Sequence, residues 1–157
     1  MGWVEALRGN VIGLDTTPLI YFTEENPTYI EVVDPFFKAV GDGELIVVTS
    51  VVTLLEVLVR PIRDGNSSLA QRYRDFLLNS NNVTTRLLSR KIAEEAARLR
   101  AFNNIRTPDS IQMATAINEG ATIFLTNDLR LPSLPKLRIL ALDTLRAQSE
   151  SAQSNEG

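Results

Sequence analysis

The sequence predicts an α/β protein, with three α/β/α layers around a small, mainly parallel sheet. Three observations carry this reading. Short apolar runs suited to buried strands alternate with stretches of helical periodicity. No repeat or linker divides the chain, and 157 residues suffice for one domain with a real core. Carboxylates stand at or just beyond the ends of two apolar runs, where sheets of this kind bind ligands.

Val11 to Leu14 reads as a buried strand ending at Asp15. Thr17-Pro18 predicts an N-cap followed by Pro in the first turn of a short helix, which Asn26-Pro27 breaks. Tyr29 to Val40 has the pattern of a second helix, closed by the turn Gly41-Asp42-Gly43. Leu45 to Thr49 is a second buried strand. Ser50 is placed to cap a helix through Leu58, and Pro61 is expected to end it. Asp64 to Ser68 is read as a loop and Leu69 to Leu78 as a helix.

Val83 to Thr85 is a short strand after the turn Asn79 to Asn82. Ser89 to Phe102 is strongly amphipathic, with Ile92, Ala96, Leu99 and Phe102 along one face. Thr107-Pro108 repeats the cap-then-Pro signal and opens a helix to about Asn118, which Gly120 stops. Ala121 to Leu125 and Leu137 to Leu142 complete the strands. Residues 1–146 are expected to form one domain, and the polar stretch 147–157 a disordered tail.

Composition excludes several chemistries. The chain contains neither Cys nor His. That removes disulfides, thiol nucleophiles, Ser-His triads and nearly all zinc and copper sites. Any metal must be held by oxygen, which points to Mg²⁺ or Mn²⁺. The lack of Cys fits a cytoplasmic location. The start MGWVEALRGN is a poor signal peptide, and Ala6 departs from the myristoylation pattern that Met1-Gly2 suggests. Net charge is −3, so no global basic field advertises a nucleic acid. Ten Arg or Lys residues nevertheless lie between Arg60 and Arg106, most of them read as solvated helix faces.

Four acids are candidates for a site. Asp15 follows the first strand, and the plainer reading is a turn residue capping the next helix. Glu56 sits among Val52, Leu54, Leu55, Val57, Leu58 and Val59, in a helix expected to be buried on most sides. A carboxylate there needs a partner or metal; the plainer reading is an exposed stripe paired with Arg60. Asp109 opens a helix, where the dipole favours acids in any case. Asp128 follows a strand in TND, which is also common turn chemistry, and Thr126 and Asn127 are further oxygen donors. Converging carboxylates repel unless a divalent cation neutralises them. Such a cation makes a nucleophile of bound water without histidine.

These four contexts, in this order, resemble the PIN-domain family (PilT N-terminus) and its VapC-type toxins, across about Val11 to Leu142. The resemblance implies a small parallel sheet flanked by helices and a Mg²⁺- or Mn²⁺-dependent ribonuclease. Asp15, Glu56, Asp109 and Asp128 would be its metal-binding and catalytic acids, with Thr126 a supporting hydroxyl. It also implies a homodimer and, for a toxin, a cognate antitoxin.

Rival families fit less well. Haloacid-dehalogenase-like phosphatases want a second acid two residues after the first, where this chain has Thr17. Topoisomerase-primase-like sites want an Asp-x-Asp pair, and no Gly-rich phosphate loop occurs. The alternative function is an RNA- or protein-binding module of the same fold without catalysis. Four clustered negative charges argue against it, because they oppose RNA phosphates.

Overall fold

The computed structural model describes residues 2–156, with side chains through 153; Met1 and Gly157 lie outside the described residues. After a short 3₁₀ turn at Glu5–Leu7 come β1 (Val11–Leu14), α1 (Thr16–Thr23), α2 (Ile30–Gly41), β2 (Ile46–Ser50), α3 (Val51–Arg63) and α4 (Ser67–Asn79). Then follow β3 (Val83–Arg86), α5 (Arg90–Phe102), α6 (Thr107–Asn118), β4 (Ile123–Thr126), β5 (Arg138–Ala141) and α7 (Leu142–Glu156). The five strands form one sheet in the order β3-β2-β1-β4-β5, with every pairing parallel. This is the expected α/β/α fold.

Alternate strand residues feed opposite cores, as the pleat requires. Ile12, Leu14, Val47, Ile123 and Leu125 join the core beneath α1, α2, α3, α4 and α7. Val48 and Phe124 face the other way, with residues of α5 and α6. The chain winds outward from β1 through β2 to β3, then returns to the other side of β1 as β4. The winding reverses between β1 and β4, the point where open sheets of this kind place a ligand at the carboxyl ends of their strands.

Gly13 sets how closely α6 approaches that point. A Cβ built at Gly13 lies 2.5 Å from Ala116 Cβ and 2.9 Å from Phe124 Cδ1. Only glycine lets α6 pack directly on β1, and this brings the first turns of α6 beside Asp15.

Several elements differ from the sequence reading for identifiable reasons. Helix α3 runs through Pro61 to Arg63. Proline forfeits one N–H but keeps its carbonyl, which accepts from Asn66 N at 2.8 Å. Helix α4 begins within the expected loop because Asn66 caps it, accepting from Leu69 N at 3.1 Å. The cap of α1 is Asp15 itself rather than Thr17. Helix α6 starts at Thr107 after an N-cap at Arg106, which makes no side-chain capping bond.

Helix α3 is not buried on most sides. It buries Thr53, Val57 and Pro61 and exposes Leu55, Val59 and Ile62. Phe102, expected on the apolar face of α5, is also exposed. The stretch expected to be a disordered tail continues α7 as far as Glu156. Leu142 and Leu145, buried in the core, anchor the start of that helix. Among the described residues, no helix is long and apolar enough to cross a membrane.

Candidate active site

Asp15 leaves β1 with its N–H bonded to Leu125 O on β4 at 3.0 Å. Its carboxylate is buried and held by two short bonds. Oδ1 accepts from Thr16 N at 2.7 Å, and Oδ2 accepts from the Thr126 hydroxyl at 2.6 Å. Burial pushes the Asp15 carboxyl up from 3.8 to about 6. The Thr126 and Thr16 bonds oppose that shift, and the charges of Asp109 and Glu56 add to it. Asp15, Asp109 and Glu56 are therefore within electrostatic reach of one another.

Glu56 projects from α3, half-buried, into a hydrogen-bonded network. Its Oε1 accepts from the Thr16 hydroxyl at 2.7 Å and from Gln112 Nε2 at 3.1 Å. Gln112 Nε2 also lies 2.9 Å from each of the Thr16 and Thr53 hydroxyl oxygens. Thr53 bonds Thr49, and Thr49 donates to Leu14 O at the end of β1. The network ties α1, α3, α6 and the β1 terminus together. The buried Gln112 Oε1 has no partner within the described chain.

Asp109 and Asp128 line one open cleft of about 410 Å³ with Asn103, Asn104, Arg106 and Arg130. Asp109, buried in the first turn of α6, is 3.2 Å from Arg106 Nε. Asp128 is gripped by Arg130 through two bonds, Nε to Oδ1 and Nη2 to Oδ2, each 2.9 Å. That grip holds the Asp128 carboxyl below its usual range. The Asp128 N–H donates to Thr126 Oγ1 at 3.0 Å, so one threonine positions both Asp15 and the turn carrying Asp128. Asn127 faces elsewhere: its Oδ1 accepts from Asp143 N at the start of α7.

The four acids thus reach one end of the sheet by two routes. Asp15 and Glu56 share Thr16, whereas Asp109 and Asp128 share the cleft and are each paired with arginine. Among the described residues, no three acidic side chains gather closely enough to hold a metal ion in this arrangement. The donor set still fits a hard divalent cation, because it is all oxygen and because Asp15, raised mainly by burial, is raised further by the charges of Asp109 and Glu56. Sequence reasoning missed Gln112, Arg106 and Arg130. Gln112 had a signal, since it lies one helical turn after Asp109 and so shares its face.

Residues 12–137 match the family model of the PIN domain. The chain belongs to the PIN-domain family. Solved structures place this PIN domain among similar folds. VapBC2 from Rickettsia felis bound to a promoter DNA fragment contains a chain that is 18% identical with a TM-score of 0.65. The match covers 83% of this chain and 98% of that one. A Klebsiella pneumoniae toxin–antitoxin complex contains a chain 20% identical, TM-score 0.58, with 82% and 95% covered. DNA-bound VapBC from Salmonella typhimurium contains one 20% identical, TM-score 0.56, with 85% and 98% covered. No curated protein matches the chain significantly.

Proposed function

We propose that this PIN-domain protein is a Mg²⁺- or Mn²⁺-dependent endoribonuclease, the toxin of a toxin–antitoxin pair. The observation that carries the reading is Asp15. It is a buried carboxylate at the point where the winding reverses, raised to about 6 and within reach of the charges of Asp109 and Glu56. Such crowding costs stability unless a cation relieves it.

Asp15, Glu56, Asp109 and Asp128 would hold the ion. When bound, a divalent cation supplies an activated water and charge stabilisation at the phosphodiester. The chain's own residues do the rest. Thr126 and Thr16 fix both oxygens of Asp15. Gln112 and Thr16 orient Glu56 from opposite elements. Gly13 admits α6, which carries Asp109 and Gln112 to that point.

The partner reading draws on the neighbours, whose structures are toxin–antitoxin complexes. By that analogy this chain would pair with a cognate antitoxin. The family resemblance adds a homodimer, the lack of Cys fits the cytoplasm, and the catalytic domain would span residues 1–146. The second reading is a binding module without catalysis. It is favoured by the arginine pairing of Asp109 and Asp128 and by the lack of a closed metal cluster among the described residues.

Cleavage of mixed cellular RNA by the purified protein, with Mg²⁺ or Mn²⁺ and with EDTA, separates the two. Metal-dependent cleavage that vanishes in Asp15→Asn supports the nuclease. A folded protein that neither cleaves RNA nor binds metal supports the module.

A further inference from the structure

Two of the four acids are occupied by arginines, and the pairs have a common layering. Asp109 and Asp128 are 9% and 19% exposed at the side chain, whereas their partners Arg106 and Arg130 are 69% and 74% exposed. The carboxylates form the floor of the cleft and the guanidinium groups its rim. The two pairs also interact. The charge of Arg106 reaches Asp128, and that of Asp109 reaches Arg130. Both arginines come from chain segments flanking the cleft, one before α6 and one after β4.

Each rim guanidinium is already mostly solvated while paired, so it gives up little when it leaves its carboxylate. The carboxylates on the floor are shielded from water and need another cation in its place. A divalent cation competing for the same oxygens brings twice the charge, and the displaced guanidinium stays at the cleft mouth. Guanidinium is the side chain best shaped for bidentate phosphate recognition. Asn103 and Asn104 line the same cleft with further polar atoms.

We propose that Arg106 and Arg130 are phosphate-binding residues of this cleft, held on Asp109 and Asp128 until a divalent cation takes those carboxylates and frees them to grip a single-stranded RNA backbone. This rests on the nuclease reading and goes beyond it by assigning the cleft between the start of α6 and the β4–β5 loop as the track of the strand. Metal and RNA then bind with positive coupling, because one releases the groups that hold the other.

The test compares wild type, Arg130→Gln and Arg106→Gln. Arg90→Gln is the control, at the far end of α5 from the cleft, roughly 20 Å away by helix rise. All are exposed positions, so folding is retained. Mn²⁺ binding is read by electron paramagnetic resonance without RNA. Binding of a phosphorothioate single-stranded RNA of mixed sequence is read by fluorescence anisotropy, with Mn²⁺ and across a salt series.

Each cleft variant is expected to bind Mn²⁺ about two- to fivefold more tightly, having lost a competitor for a carboxylate. Each should bind RNA roughly tenfold more weakly, with the log–log salt slope reduced by about 0.7 for the lost phosphate contact. Arg90→Gln should match wild type in both. Cleft variants with unchanged RNA affinity, or with weakened Mn²⁺ binding, would overturn the arginine role while leaving the nuclease reading standing. Wild type that binds neither Mn²⁺ nor RNA overturns both.

Discussion

Thr126 donates its hydroxyl to Asp15 Oδ2 at 2.6 Å, bridging the ends of β4 and β1 where the winding of the sheet reverses. The same oxygen accepts from the Asp128 N–H, so two acids that are distant in sequence are placed by one side chain. Replacing Thr126 by valine keeps the shape and removes both bonds. A buried acceptor and a part-buried N–H are then left unpaired, at a cost of about 1–3 kcal/mol. Urea denaturation should show this as a lower midpoint with an unchanged m-value. Metal-dependent cleavage should fall with it.

The raised Asp15 carboxyl makes stability depend on pH in a defined direction. Its folded value of about 6 lies above the ordinary 3.8, so the folded state holds the proton more tightly. The stabilisation is fully present below 3.8 and is lost as pH rises through about 6, on the order of 3 kcal/mol in all. Metal-free wild type should therefore lose stability across that window, and Asp15→Asn should flatten the loss. At pH 7, Mn²⁺ should raise the Tm of wild type and leave that of Asp15→Asn nearly unchanged. Thermal melts at several pH values, with and without Mn²⁺, check both outcomes.

Gly13→Ala tests the close approach of α6 to β1. The new methyl would meet Ala116 Cβ and Phe124 Cδ1. Overpacking of this kind costs about 1–3 kcal/mol. Pairing it with Ala116→Gly should recover part of the loss, less about 1 kcal/mol for glycine within a helix. Chemical denaturation of both single variants and the double variant gives the coupling.

Gln112→Met separates orientation from stability. The exchange nearly conserves volume and removes the unpartnered Oε1 along with the Nε2 bonds to Glu56, Thr16 and Thr53. Removing the unpartnered oxygen offsets part of the loss of the Nε2 bonds, so stability should fall by about 1 kcal/mol. Glu56 loses a fixed donor, and cleavage should fall roughly 10- to 100-fold, as when residues that orient metal ligands are removed. A stability loss as large as the activity loss would instead make Gln112 a packing residue.

The sequence by itself determined the fold class and the order of the elements. Apolar periodicity is a local property, and alternating buried strands and helices have few ways to pack. The four candidate acids stand out in the sequence for the same reason: each interrupts or ends a local pattern. What lay beyond local pattern was misread. Pro61 carries the signal of a helix end, yet it costs α3 a single donor and the helix continues to Arg63. The apolar run of α3 implied burial, yet only one of its faces meets the core.

Only the tertiary structure decided how the acids are partnered. Gln112 meets Glu56 across 56 residues of chain, and Thr126 meets Asp15 across 111. Arg130 takes Asp128 from two residues away, a local contact that becomes informative only once the cleft around it is seen. Periodicity tells which face a residue occupies, not what stands opposite. Partners are set by sheet order and by how closely α6 can approach β1, and these exist only in the assembled fold.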